Sequence, residues 1–263
     1  MKLSEIYKIA DELAPKKHSD EYCARYGAYD NSGVQVDTGE DIKSVVFSLD
    51  LSFSAIDKAI ETGANLIITH HPAIYGKMDG VRVGDFSPLG EKLVRCIKHG
   101  ISVVSMHLNL DSSIGGTDEC LQQGVLFACG SETTGAGMRS SIMHPLENGG
   151  YGRVYAIKET SLLDIEEGIK KVFKTQRVLV YGNKENKMGK VASFCGAGAD
   201  EDAVAFAVRE GAQLLVSSDI KHHVLSLALE KGLCVLSITH YASENYGFFD
   251  NIFQIHNFPT RNA

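Results

Sequence analysis

The chain has no tryptophan and no C-x-x-C pair. No run of apolar residues approaches the ~20 that a membrane span needs. It also lacks an excess of basic charge. Its 26 Lys and Arg stand against 33 Asp and Glu, a net charge of −7, and its pI is near 5.8. There is thus no overall basic field to hold nucleic acid. The first residues, MKLSEIYKIADELAPKK, carry acids throughout and have no apolar h-region, so a signal peptide is not expected. The six cysteines, Cys23, Cys96, Cys120, Cys129, Cys195 and Cys234, fall at irregular gaps. They read as reduced, mostly buried thiols of a cytoplasmic protein, and a cysteine-based zinc site is not expected.

What is present is ordinary for a globular chain: 263 residues, 44% hydrophobic and 22% charged. A chain of this length can bury roughly 70–75% of its unfolded surface, in one large domain or two modest lobes. Leu3, Ile6, Ile9 and Leu13 have helical spacing, with a stop at Pro15. Residues 30–39, DNSGVQVDTG, are turn-rich. From Ile42 the texture changes to a buried strand at 44–49, a helix at 53–62 ending on Gly63, and a second buried strand at 65–69. Such β-α-β units imply a parallel sheet covered on both faces. A helix over 88–98, a strand over 101–105 and a helix over 116–127 follow. The middle of the chain reads as strand, a helix capped by Ser161, strand, a hairpin turning at Asn183–Lys190, and strand.

The last third repeats the first. ETGANLIITHH at 61–71 matches REGAQLLVSSD at 209–219, and KHGISVVSMHLNLD at 98–111 matches EKGLCVLSITHYASE at 230–244. Each pairing has a helix ending in glycine, a strand, and a polar cluster just beyond it. Two matches in the same order are the mark of an internal duplication. The expected fold is α/β, with two similar lobes built on mostly parallel sheets, residues 1–130 and 131–263, and no inserted domain.

The polar clusters carry the chemistry. His70 and His71 follow one strand and precede Pro72; His107 and Asp111 follow another; His240 and Glu244 follow a third. Open parallel sheets bind ligands beyond the carboxyl ends of their strands. One histidine after a strand is ordinarily structural, but three such clusters at matched strand ends point to metal. Imidazole with carboxylate suits zinc, iron, manganese or nickel. Four histidines and two carboxylates exceed what one tetrahedral ion needs, and two ions about 3.5–4 Å apart would use them. The spacing leaves His107 either as a ligand or as a group orienting one. Asp219, His222 and His223 sit at the repeat equivalent of His70–His71, either lining the cleft or opening a helix. CGAGAD at 195–200 is a tight strand-to-helix turn or a phosphate contact at a helix N-terminus. Lys77, Arg82 and Arg139 read as solvated surface charges. No Ser-His-Asp or Cys-His arrangement stands out.

The segments THHP (69–72), HLNLD (107–111), SSDIKHH (217–223) and HYASE (240–244) resemble those of the YbgI-like dinuclear metal-centre proteins. These are also known as the Ngg-interacting-factor-three family and as GTP cyclohydrolase I type 2 homologues. DNSGVQV (30–36) and GGTDECL (115–121) are similar to two further stretches of that family. The resemblance runs over essentially the whole chain. It implies His70, His71, Asp111, His240 and Glu244 as ligands of two divalent ions per subunit, with Glu244 bridging, in the cleft between the lobes. It also implies a toroidal homohexamer with the metal sites facing its interior. The expected function is metal-dependent hydrolysis of a purine nucleotide, with GTP ring opening as the family's named reaction and His107 or Asp219 shuttling the proton. The alternative is a non-catalytic metal-binding, metal-delivery or regulatory scaffold protein.

Overall fold

A computed structural model describes residues 1–78, 80–84, 88–131 and 140–253; Arg139 and His256 lie outside them. The chain divides into two compact units. Met1–Ser113 form the bulk of the first, and Ile114–Asn251 form the second.

The first unit runs α1 (Leu3–Leu13), α2 (Lys16–Tyr26), β1 (Gly33–Val36), β2 (Val45–Ser48), α3 (Phe53–Thr62), β3 (Leu66–Thr69), α4 (Pro88–Lys98), β4 (Ser102–Ser105) and α5 (Leu108–Ser112). Its sheet has the order β1-β4-β3-β2. Strands β4, β3 and β2 are parallel, and β1 is antiparallel against β4. All four residues of β3 and of β4 are buried, as expected for runs without polar alternation. Against them pack Ile56 and Ala59 of α3 and Leu93 and Cys96 of α4. The register sets Ser48 beside Thr69 and Thr69 beside Ser105, so the three strands end at one level.

The second unit runs α6 (Thr117–Ala128), β5 (Ser141–Pro145), β6 (Gly150–Ser161), α7 (Leu162–Val172), β7 (Val178–Tyr181), β8 (Lys187–Ser193), α8 (Glu201–Arg209), β9 (Leu214–Ser217), α9 (His222–Glu230), β10 (Cys234–Ile238) and α10 (His240–Asn245), then a π-helical stretch, Tyr246–Phe253. Its sheet has the order β5-β6-β8-β9-β10-β7. The centre, β8-β9-β10, is parallel and the flanking strands are antiparallel.

The expected α/β class with two sheets holds, and the duplication has a local geometry. Gly63, Gly100, Gly211 and Gly232 all have positive φ, between 65° and 82°. After each, the next backbone N–H reaches back five residues: Ala64 to Ala59, Ile101 to Cys96, Ala212 to Ala207 and Leu233 to Ala228, at 2.9–3.0 Å. This closure satisfies a terminal helix carbonyl and needs a left-handed residue that glycine adopts without a Cβ clash. Four copies of one turn deliver four strands in the same way.

Two expectations are corrected. The hairpin at Asn183–Lys190 does not form. β8 is already paired on both sides, by β6 and β9, so β7 crosses over to cover the outer edge of β10. Helix α2, absent from the sequence reading, follows Pro15 directly and buries only His18, Ser19 and Tyr22. Its composition, KKHSDEYCARY, carries no apolar stripe, and Pro15 opens it as well as ending α1. Ser161 caps α7 as expected, accepting from the Asp164 N–H. All six cysteines are thiols, five of them buried. Burial pushes Cys96 up to about 11 and Cys120 and Cys129 to about 12, which makes them inert. Among the described residues no helix is long and apolar enough to cross a membrane.

Candidate metal centre

In the first unit the chain beyond the level strand ends is still held by ladder-like hydrogen bonds. His70 N–H donates to Ser48 O at 3.2 Å, His71 N–H to Leu49 O at 2.8 Å and Met106 N–H to Thr69 O at 2.8 Å. Consecutive residues of a regular strand would face opposite ways. Here the strand has ended, and the His70 and His71 rings lie 5.0 Å apart at an interplanar angle of 49°. His107 stands 5.4 Å from His70 and 5.8 Å from His71, ring to ring. One nitrogen of each imidazole lies within 4.8 Å of the other two.

The Nδ1 atoms define the arrangement. His70 Nδ1 lies 2.7 Å from Met106 O, His71 Nδ1 2.9 Å from Asp50 Oδ1, and His107 Nδ1 2.8 Å from Asp30 Oδ1. A backbone carbonyl can only accept, so His70 carries its proton on Nδ1, and its Nε2 is the basic nitrogen. The two carboxylates impose the same tautomer on neutral His71 and His107. This is how metal-ligating imidazoles are oriented and made more basic. Asp111, on α5, brings Oδ1 to 3.4 Å from His70 Nε2.

The Asp30 side chain is fully buried. Burial pushes its pKa up, yet hydrogen bonds from His107, Ser19 and Ser32 outweigh that and hold it well below the usual carboxylate range. Ser32 Oγ also accepts from the His107 backbone N–H at 3.0 Å. The turn-rich DNS of residues 30–32 is therefore the holder of His107. Asp30 and Asp50 were not among the predicted site residues. An acid directly after the β2 run, at the level of the histidines, was the one signal for Asp50.

In the second unit Thr239 caps α10 by accepting from Ala242 N–H. This sets His240 and Glu244 one turn apart, with Nε2 2.8 Å from Oε1. His240 Nδ1 lies 2.6 Å from Asp219 Oδ2. The hydrogen bond to Glu244 foremost, and then Asp219, raise His240 to about 9 against the opposing effect of burial. Asp219 has a φ of 50°, a left-handed conformation that costs a non-glycine residue roughly 1–3 kcal/mol and collects at functional sites.

The CGAGAD turn has a specific task here. A Cβ on Gly196, where φ is +59°, would fall 2.4 Å from Glu244 Oε1 and 3.5 Å from His240 Nε2. The turn is a close approach to the Glu244 carboxylate. Ser218 Oγ donates to Gly196 O at 2.6 Å, and Gly196 N–H to Ser243 Oγ at 3.3 Å. Buried Asp118, from GGTDECL, accepts from the N–H groups of Gly152 and Cys195 and from Arg153 Nε, fixing the start of the turn.

The structure thus brings His70, His71, His107 and Asp111 together in the first unit, and Asp219, His240 and Glu244 together in the second. His222 and His223 are exposed, and His223 pairs with Glu201 at 2.9 Å, so neither joins the His240 cluster. His18 is buried against Ser113. Burial lowers the pKa of His144. Lys77 and Arg82 are exposed.

A model of the family described as Duf34/NIF3 (NGG1p interacting factor 3) matches residues 1–257. A GTP cyclohydrolase 1 type 2 homolog of Clostridium perfringens is 31% identical over 247 residues, covering 93% of this chain and 87% of its own. One of the same name from Methanocaldococcus jannaschii is 30% identical, covering 94% and 91%. Among solved structures, reduced HcgD from Methanocaldococcus jannaschii superposes with a TM-score of 0.80 at 28% identity, covering 100% of this chain and 96% of that one.

Proposed function

This chain belongs to the Duf34/NIF3 (NGG1p interacting factor 3) family, and from that premise we propose that it is a dinuclear metal-binding protein that hydrolyses a purine nucleotide. The observation that carries the reading is the common anchoring of His70, His71, His107 and His240. Each has Nδ1 on a carbonyl or carboxylate oxygen, which orients the ring and leaves Nε2 as the nitrogen for ligation or proton transfer. We assign His70, His71, Asp111, His240 and Glu244 as the residues that would hold two divalent ions of zinc, iron, manganese or nickel. The donor set of imidazoles and carboxylates fits these ions. Once bound, two such ions bring the pKa of a water toward neutrality and polarise the bond it attacks.

The chain's own groups do the rest. Asp50 and Asp219 hold the rings of His71 and His240. Asp30, ionised and buried, holds His107 and stabilises that imidazole when it takes up a proton on Nε2, so His107 is the proton carrier. Asp219, the other candidate shuttle, has Oδ2 on His240, and we assign it the holding role. The substrate rests on the relatives' names, GTP cyclohydrolase 1 type 2 homolog. The same reading carries a toroidal homohexamer, two similar lobes and a cytoplasmic setting.

The test is metal content by elemental analysis together with turnover of a nucleotide panel supplied with manganese, zinc or iron. The wild type is expected to hold two ions per chain and open the GTP ring, and His240→Ala to lose turnover with its fold intact. Equal rates for both proteins would count against catalysis at this centre. Rapid metal exchange without turnover would favour metal delivery.

A further inference from the structure

Beside the histidine cluster, and wholly within the first unit, lies a recess of about 190 Å³. His71 and Asp50 form one side of it, Leu51, Pro72 and Leu89 give it apolar walls, and Lys92 of α4 lines it as a cation. Complete ligand sites usually start near ~300 Å³, and this volume equals about six water molecules. It therefore takes a part of a ligand.

Lys92 is the unusual member. It is half-buried, and its Nζ lies 5.5 Å from the centroid of the Phe53 ring. That contact steadies the ammonium group without using its hydrogen-bond donors. Among the described residues Lys92 has no ion pair, whereas Arg95, three residues further along α4, is paired with Asp57. In a chain of net charge −7, a half-buried cation without a carboxylate partner among the described residues is conspicuous. The acid in the same lining, Asp50, has Oδ1 on His71 Nδ1 at 2.9 Å. An ammonium group half-buried beside apolar side chains attracts an oxyanion more strongly than one in bulk water.

We propose that this recess is the subsite for an anionic oxygen group of the substrate, a phosphate or a carboxylate, bound by Lys92 while the reacting part of the molecule lies at His71. The proposal rests on the reading of His71 as a metal ligand, and it adds a specificity-determining residue outside the ligand set.

The experiment titrates the zinc-loaded full chain with inorganic phosphate and, separately, with acetate, by calorimetry at low ionic strength, with zinc content measured for each protein. Lys92→Met keeps an unbranched side chain of similar length and removes the charge; Lys92→Arg keeps the charge. We expect Lys92→Met to weaken anion binding by about tenfold or more, Lys92→Arg to retain most of it, and all three proteins to hold the same zinc. Tighter binding of phosphate assigns the subsite to phosphoryl groups, and tighter binding of acetate assigns it to carboxylates. Lys92→Met binding both anions as the wild type does, or a wild type that binds neither, overturns the proposal. A wild type that takes up no zinc contradicts the metal reading instead, and the same titration of metal-free protein then decides the subsite on its own.

Discussion

The two units present their metal-type residues in different states. In the first, three imidazoles turn toward one another with their Nδ1 atoms on Met106 O, Asp50 and Asp30, and a carboxylate, Asp111, stands near His70. In the second, one imidazole sits between two carboxylates, Asp219 on Nδ1 and Glu244 on Nε2. That ring is raised to about 9, so at neutral pH it keeps both protons. The first cluster is ready to ligate, while the second must release a proton before His240 can do so. The difference makes the second unit the pH-sensitive half of the proposed centre.

The comparison breaks most visibly at a buried ligand. His70→Ala is expected to reduce metal content from two ions per chain to one or none, read by elemental analysis. Its side chain is fully buried, so the variant also loses packing and the Met106 hydrogen bond, about 1–3 kcal/mol in chemical denaturation. A variant that keeps two ions would remove His70 from the ligand set.

Next in size is Gly196→Ala. The new methyl group would meet Glu244 Oε1 in a left-handed turn. We expect a loss of roughly 1–3 kcal/mol and weaker metal binding. An unchanged melting temperature would mean that the turn does not press on Glu244.

The holding carboxylates sharpen the contrast. Asp219→Asn, which frees the ligand His240, should lower metal affinity by about 10–100-fold, whereas Asp30→Asn, which frees the proton carrier His107, should lower turnover with the metal content kept. Only Asp30→Asn should also cost stability, because Asp30 is buried and bonded to Ser19, Ser32 and His107, whereas the Asp219 side chain is 58% exposed. Equal stability losses would erase that distinction.

The smallest effect is the pH dependence of the metal-free protein. The folded pKa of His240 lies above its ordinary 6.5. Its stabilising contribution is therefore fully present below about pH 6.5 and is lost as pH rises through about 9. With the side chain 31% exposed, the loss is on the order of 1–2 kcal/mol after screening. His240→Gln should remove this slope from denaturation curves between pH 6 and 10. A slope that survives the substitution would belong to another group.

Much of this could be read from residue order alone. The buried strand runs, the four glycine closures and the histidines after them are local signals, each contained within about fifteen residues. The holders of the rings are different, because Asp30 meets His107 across 77 positions and Asp50 meets His71 across 21. Only the sheet register makes those pairs neighbours. The same holds for Gly196, whose need to be glycine comes from Glu244, 48 positions later. Strand β7 was misread as half of a hairpin because its partner, β10, follows more than fifty residues on. Helix α2 escaped notice for the opposite reason: its sequence is local enough but carries no apolar stripe.

X-ray absorption of the zinc-loaded chain addresses the metal centre directly. Imidazole and carboxylate ligation predicts nitrogen and oxygen scatterers at about 2.0–2.2 Å and a second zinc at about 3.5–4 Å. A shell of sulfur at about 2.3 Å, placing the metal on cysteines instead, would contradict it.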